Sequence, residues 1–355
     1  MNADVVSLRN LVRSPMLLAV PAFQKLEVLF PETAIKWNQH QRLLALEDFV
    51  HHTRFIGTAA LYGYQALLSD YVDWLKVLWD TLGFRIESLV RSIRILEQCA
   101  QIILQEPDLA LFLEFCGFAI SALEADEKAG NIYRKEPGVE NLYVRQYLEA
   151  LLGNRRSYAA ELVRSLVSQG KTLIDLYEEL FIPAQQKTGY LWHQGKISVV
   201  REHYITATTQ AIISSLYENL FQGAESDRQL MFAACAEGEL HEIGIRYIAD
   251  YFQHSGWNTR YFGANVPADS LLGEIQAQRP AVIALSATLA VHLPDLECLI
   301  ARIREEKHYR PIILVGGHAF EASADLWQKI GADGTSHSAR EALALAESRL
   351  QEHSA

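Results

Sequence analysis

The spacing of apolar positions changes character along the chain. Through residues 1–130, apolar side chains recur every three or four positions. Leu68, Tyr71, Val72, Leu75, Leu78 and Trp79 form one stripe, and Val90, Ile93, Leu96 and Ala100 another. This is the period of amphipathic helices. Between Pro31 and Pro107 the only glycines are Gly57, Gly63 and Gly83. Gln41–Leu104 is therefore predicted to form two or more long helices broken at glycine, as a bundle or a dimerisation element. The polar stretch Glu124–Asn141, with Gly130, Pro137 and Gly138, has the composition of a linker.

Helical spacing resumes over 142–222. Four segments are expected: Tyr143–Leu152, Ser157–Gln169, Thr172–Trp192 and Ser198–Phe221. Pro183 and Gly189 are predicted to bend or interrupt the third. Four segments over this length suggest a small four-helix bundle.

After Gln229 the pattern becomes short apolar runs alternating with helical ones. Strands are expected at Leu230–Ala236, Asn258–Gly263, Pro280–Ser286 and Pro311–Val315. Helices are expected at His241–His254, Ala268–Gln278 and Leu293–Glu306. Alternation of this kind predicts a parallel sheet covered by helices on both faces. The fold class is thus α/β plus all-α: a Rossmann-like, flavodoxin-like domain over 228–350, a helical cap over 142–222 and a helical N-terminal domain over 1–130.

Composition narrows the partners. Among 355 residues, 32 Lys+Arg face 43 Asp+Glu, for a net charge of −11. Residues 1–130 carry 11 basic and 16 acidic side chains, a net of −5, with no basic run. This argues against a nucleic-acid-binding head there. Cys99, Cys116, Cys235 and Cys298 are widely separated and form no CxxC pair, so neither a disulfide framework nor a cysteine zinc site is indicated. The longest apolar run, Leu109–Leu123, is short for a membrane span and is broken by Glu114. Met16–Val20 is too short for a secretory signal. A cytoplasmic protein is expected.

The candidate chemistry lies at the carboxyl ends of the strands, where parallel sheets bind ligands. The first strand leads into Glu237-Gly238-Glu239-Leu240-His241-Glu242-Ile243-Gly244. The loop is not a GxGxxG loop and does not indicate a dinucleotide. A carboxylate two residues before a histidine suits metal ligation: Glu239 can take one ring N–H and leave the other nitrogen of His241 to a metal. Gly244 would let the backbone pass close to a bulky group. The third strand ends in Ser286-Ala287-Thr288 and the fourth in Gly316-Gly317-His318, where paired glycines leave a groove.

The order Glu-x-His-x-x-Gly, Ser-x-Thr, Gly-Gly closely resembles the cobalamin-binding domain of the methionine synthase and mutase type. Glu239 stands where most members have Asp. The resemblance implies that His241 is the lower axial ligand of cobalt, tuned by Glu239 and Ser286. It also implies a channel for the nucleotide tail lined by Ser286, Thr288, Gly316 and Gly317. Gly331-Ala332-Asp333-Gly334 resembles the last strand and its loop. Upstream, Trp192-His193-Gln194-Gly195 followed by Glu202-His203 and Thr206 resembles the helical cap of CarH-like photoreceptors, which hold adenosylcobalamin. There the tryptophan lies against the upper ligand and Glu-His contact the adenosyl group. His193 matches the position that reaches cobalt after light breaks the cobalt–carbon bond. The resemblance spans about 142–350 and leaves 1–130 unmatched. Without it, Trp192 would equally suit a bundle core, and Glu202 and His203 a solvated helix face.

A cobalamin-dependent light sensor is therefore expected, with no turnover of its own. Its output would be protein–protein contact or a change of homo-oligomer, with neither membrane nor nucleic acid as direct partner. The N-terminal aromatics Tyr62, Tyr64, Tyr71, Trp74 and Trp79 would fill a core or flank a second chromophore such as a bilin. Two other readings share the fold: a corrinoid methyl carrier serving a methyltransferase, and a haem or redox sensor.

Overall fold

The computed structural model describes residues 6–125, 141–220 and 229–354. The chain divides into two compact units. One joins the N-terminal helices to residues 289–298 and 321–330. The other contains the remaining described residues of the cap and the sheet.

The first unit is helical: α1 (Leu8–Arg13), α2 (Met16–Leu29), α3 (Pro31–Ala34), α4 (Gln39–Tyr62), α5 (Ala66–Leu82), α6 (Ile86–Ile103) and α7 (Asp108–Glu124). Asn38 and Gln41 exchange side-chain and backbone hydrogen bonds and start α4 as a capping box. Gly63 and Gly83 end α4 and α5 with φ of 75° and 71°, a conformation that favours glycine. Gly57 breaks nothing. It lies inside α4, where a Cβ would stand 2.8 Å from Val12 Cγ2, so its missing side chain lets α1 pack close. The predicted stripes are buried at Leu68, Tyr71, Val72, Leu75, Val90, Ile93, Leu96 and Ala100, while Leu78 and Trp79 are half-buried. The expected linker falls almost wholly on residues 126–140, outside those described.

The cap consists of α8 (Leu142–Leu152), α9 (Arg156–Ser168), a third helical stretch and α12 (Val199–Leu220). The third stretch is not interrupted. It runs as α10 (Leu173–Leu176), a π-turn (Tyr177–Phe181) and α11 (Ile182–His193), and Gly189 sits within α11. Pro183 cannot donate to the carbonyl four residues earlier, that of Glu179. That carbonyl instead accepts from Asn141 Nδ2 at 2.6 Å, and the wider turn absorbs the proline. Tyr147, Leu151, Val163, Tyr177, Phe181, Ile205 and Ile213 form the cap core, which continues into Tyr247 and Ala339 of the sheet domain.

The sheet has five parallel strands: β1 (Leu230–Cys235), β2 (Asn258–Gly263), β3 (Val282–Ser286), β4 (Ile312–Gly316) and β5 (Gly334–Thr335), in the order β2-β1-β3-β4-β5. Met231, Ala233, Cys235, Ala284 and Leu314 pack with residues of α13 (Ile243–His254) and of the last helix (Ala339–Ser354). Their neighbours Phe232, Ala234, Ile283, Leu285 and Ile313 are equally buried, so both faces are covered. The strand order reverses between β1 and β3, which places their following loops at a topological switch point.

Candidate functional site

Glu239 is the fixed point of the loop after β1. It has no exposure, yet its carboxylate is fully engaged. Oε1 accepts the His241 ring Nδ1–H at 2.6 Å and the His241 backbone N–H at 2.9 Å. Oε2 accepts the Thr288 backbone N–H at 2.7 Å, joining the loops after β1 and β3. A buried carboxylate is tolerable only with such partners. The Glu239 backbone carbonyl accepts from Asn265 N, and Asn265 Oδ1 accepts from Gly238 N, both at 2.8 Å. Asn265, with φ of 49°, thus braces the loop from the end of β2. No spaced motif in the sequence marks Asn265 as part of the site. An asparagine just after a strand and before Val-Pro is a turn signal that would have drawn attention to it.

The His241 side chain is 60% exposed even though its Nδ1 is held. The hydrogen bond to Glu239 raises its pKa against the opposing effect of burial, and the charge of Glu202 acts in the same direction. The Cys235 thiol, beneath the same loop, is pushed up to about 12 by burial and stays protonated. Gly244 stands exposed in the first turn of α13, where an added Cβ would meet no protein atom within 4 Å.

The cap presents its residues from the end of α11 and the start of α12. Trp192 is half-buried and His193 buried, and their rings meet edge to face at 5.2 Å. Burial pushes His193 down to about 4, so its imidazole is neutral at pH 7. Glu202 Oε2 pairs with His203 Nδ1 at 2.5 Å, and Thr206 donates to Glu202 Oε1 at 2.8 Å. His203 is largely exposed and Glu202 is not. Gln185, Thr209 and Tyr147 extend this polar chain into the cap core.

Ser286 is buried at the end of β3, and its carbonyl accepts from Ala236 N at 3.0 Å. Glu239 is pinned through Thr288, one turn of chain beyond Ser286. The paired glycines have different causes. At Gly317, φ is 100° and a Cβ would fall 2.4 Å from the Ala287 carbonyl oxygen. The backbone of the neighbouring loop by itself demands glycine there. Gly316 meets only Ser336 O at 3.7 Å and carries no such constraint.

The cap is also tied to the sheet domain away from the loops. Asp250 of α13 is buried and accepts from Tyr177 OH at 2.6 Å and from Tyr217 OH. Glu242 accepts from Gln210 of α12, from Tyr261 of β2 and from the Ala264 N–H. Sequence reading missed these ties because none forms a local motif.

Among the described residues no group of three His, Cys, Asp or Glu side chains could cage a metal. The donor set is one histidine, oriented by a carboxylate and exposed at its free nitrogen. That suits a metal arriving with its own equatorial ring, as in a tetrapyrrole. The comparisons specify which. One B12 binding domain model matches residues 230–344 and another matches 143–217, together more than half of the chain. The chain belongs to the B12-binding-domain family over these residues.

The chain is 24% identical to dimethylamine corrinoid protein 1 of Methanosarcina acetivorans over 211 residues, 58% of this chain and 98% of that protein. It is 28% identical to the HTH-type transcriptional repressor CarH of Myxococcus xanthus over 143 residues, 40% of this chain and 47% of that protein. The solved monomethylamine corrinoid protein of Methanosarcina barkeri shares the fold, with a TM-score of 0.50 at 18% identity over 59% of this chain and 97% of that one.

Proposed function

We propose that this chain is a cobalamin-dependent sensor, with adenosylcobalamin as cofactor and light as the signal. The observation that carries the cobalamin part of the reading is the pairing of buried Glu239 with exposed His241. His241 would hold cobalt through Nε2. Glu239 keeps the proton on Nδ1 and makes Nε2 the better donor. Gly244 leaves open space beside it. Trp192 and the Glu202–His203 pair would cover the upper side, and neutral His193 is in the protonation state a metal ligand needs. Ser286 and Thr288 with Gly316 and Gly317 would border the nucleotide tail. When bound, the cofactor supplies a cobalt–carbon bond that light cleaves.

The sensor reading rests on what stands outside the matched part. The match to the dimethylamine corrinoid protein uses 98% of that protein and 58% of this chain. The remainder includes an acidic helical region, which suits protein–protein output or a change of oligomer rather than an operator. A bilin beside the aromatic cluster of α4 and α5 belongs to the same reading as a second chromophore.

A methyl carrier is the second reading, favoured by the corrinoid proteins of methylamine systems among the relatives. A haem or redox sensor is the third, since a lone histidine also suits haem iron. Absorption spectra after reconstitution with adenosylcobalamin, in the dark and after illumination, separate these. A light-dependent change in spectrum and in oligomer size supports the sensor. Stable binding with no response to light, together with methyl transfer from methylcobalamin to an added acceptor system, overturns it.

A further inference from the structure

The helical unit is not built from N-terminal residues alone. Residues 289–298 and 321–330 belong to it. The first begins directly after Thr288, and the second begins three residues after His318. Both therefore continue from segments assigned above to the candidate site. The two exits are locked to each other: Ala287 N donates to Gly316 O at 3.0 Å, Ala319 N donates to Ala287 O at 3.3 Å, and Gly317 leaves no room for a Cβ between them. A rearrangement at one exit must move the other.

Within the helical unit the carboxyl end of α4 holds both segments. The hydroxyl of buried Tyr62 donates to Glu297 Oε2 at 2.8 Å, and Arg9 grips both oxygens of Glu297 at 2.7 and 3.0 Å. The backbone carbonyl of the same Tyr62 accepts from Lys329 Nζ at 2.9 Å. Two residues on, Tyr64 OH donates to Asp325 Oδ1 at 2.6 Å, and the Lys329 ammonium lies 4.0 Å from the centre of the Tyr64 ring. Earlier in α4, Arg54 donates to the Val291 carbonyl at 3.3 Å. These bonds join α4 and the turn after it to residues more than 230 positions away in sequence, and the two at Tyr62 are partly buried.

We propose that the carboxyl end of α4, centred on Tyr62, reads cofactor occupancy and passes it to the N-terminal helices. This deepens the cobalamin reading above and rests on it. A ligand that orders the exits of β3 and β4 lowers the freedom of the two segments that continue from them. Tyr62 and Lys329 transmit that ordering because they join both segments to one helix end. By linkage, a ligand that favours one arrangement of the segments favours the α4 state compatible with it.

The test is hydrogen–deuterium exchange of the full chain with and without hydroxocobalamin, with saturation followed by absorbance. Loading should slow exchange in 289–298, in 321–330 and at 54–64 of α4 by roughly fivefold or more, the lower end of ordinary coupling. The Tyr62→Phe/Lys329→Met variant should keep the response in the two segments but reduce that at 54–64 to less than about twofold. Tyr62→Phe alone, which preserves the ring packing, should weaken it in the same direction and serves if the double variant does not fold. Saturated wild-type protein with unchanged exchange at 54–64, or a folded double variant with a full response there, overturns the inference and leaves cobalamin binding intact. Absence of any bound corrin overturns the cobalamin reading itself, and this inference with it.

Discussion

Glu239 and His241 share one hydrogen bond across two environments: the carboxylate has no exposure, and the histidine side chain is 60% exposed. The pair therefore orients a ring whose other nitrogen remains available. Glu239→Gln should weaken cobalamin affinity by about 10–100-fold, the usual effect of losing such a partner. Because Glu239 also receives the backbone N–H groups of His241 and Thr288, Glu239→Ala should additionally cost about 1–3 kcal/mol of stability. Binding titrations and urea unfolding of the two variants separate the effects. Equal affinity in wild type and Glu239→Gln would count against the role assigned to the pair.

Gly316, the last residue of β4, and Gly317 just after it should differ in tolerance. Gly317→Ala combines a φ of 100° with a 2.4 Å clash against backbone and should cost at least about 2 kcal/mol. Gly316→Ala meets only an ordinary contact and should stay within about 1 kcal/mol of wild type. Urea midpoints decide it, and equal losses would refute the distinction.

Asn141 caps α8 through the Val144 N–H and also satisfies the carbonyl left by Pro183. Asn141→Ala should cost about 1–2 kcal/mol, and Asn141→Asp should keep the cap while losing the bond to the Glu179 carbonyl. An intermediate loss for the aspartate variant is expected in thermal unfolding.

His52 is buried against Tyr71, at 2.6 Å from its hydroxyl, and burial pushes it down to about 3. Between the ordinary histidine value of 6.5 and that value, the unfolded chain takes up a proton that the folded chain refuses. Its stabilising contribution is complete above 6.5 and falls with decreasing pH by about 1.4 kcal/mol per unit. Asp48, raised to about 6 by burial, acts oppositely over part of that range. The difference between wild type and His52→Gln isolates the histidine. It should move against the wild type as pH drops from 6.5 to 4.5, and a constant difference would contradict the assignment.

Strand positions, the parallel sheet and the residues of the loop after β1 were legible because each is written locally, as continuous apolar runs and a short spaced motif. The helical caps at Gly63 and Gly83 were legible for the same reason. The continuity of the helix through Pro183 was not, because it depends on Asn141, over forty residues away in sequence. Nor was the second role of α4. Nothing local in its sequence says that Glu297 and Lys329 meet Tyr62. At Gly317 the glycine pair marks a close approach whose backbone partner, Ala287, is thirty positions away and is not written locally.

The central claim, that His241 supplies the lower nitrogen to cobalt, is tested most directly by electron paramagnetic resonance of the reduced cobalt(II) cofactor on protein labelled with nitrogen-15 histidine. The account predicts that each cobalt line splits into a doublet in labelled protein and a triplet in unlabelled protein, and that His241→Ala abolishes the label's effect. A triplet that persists in labelled protein, showing that the cofactor's own base holds the cobalt, would contradict it.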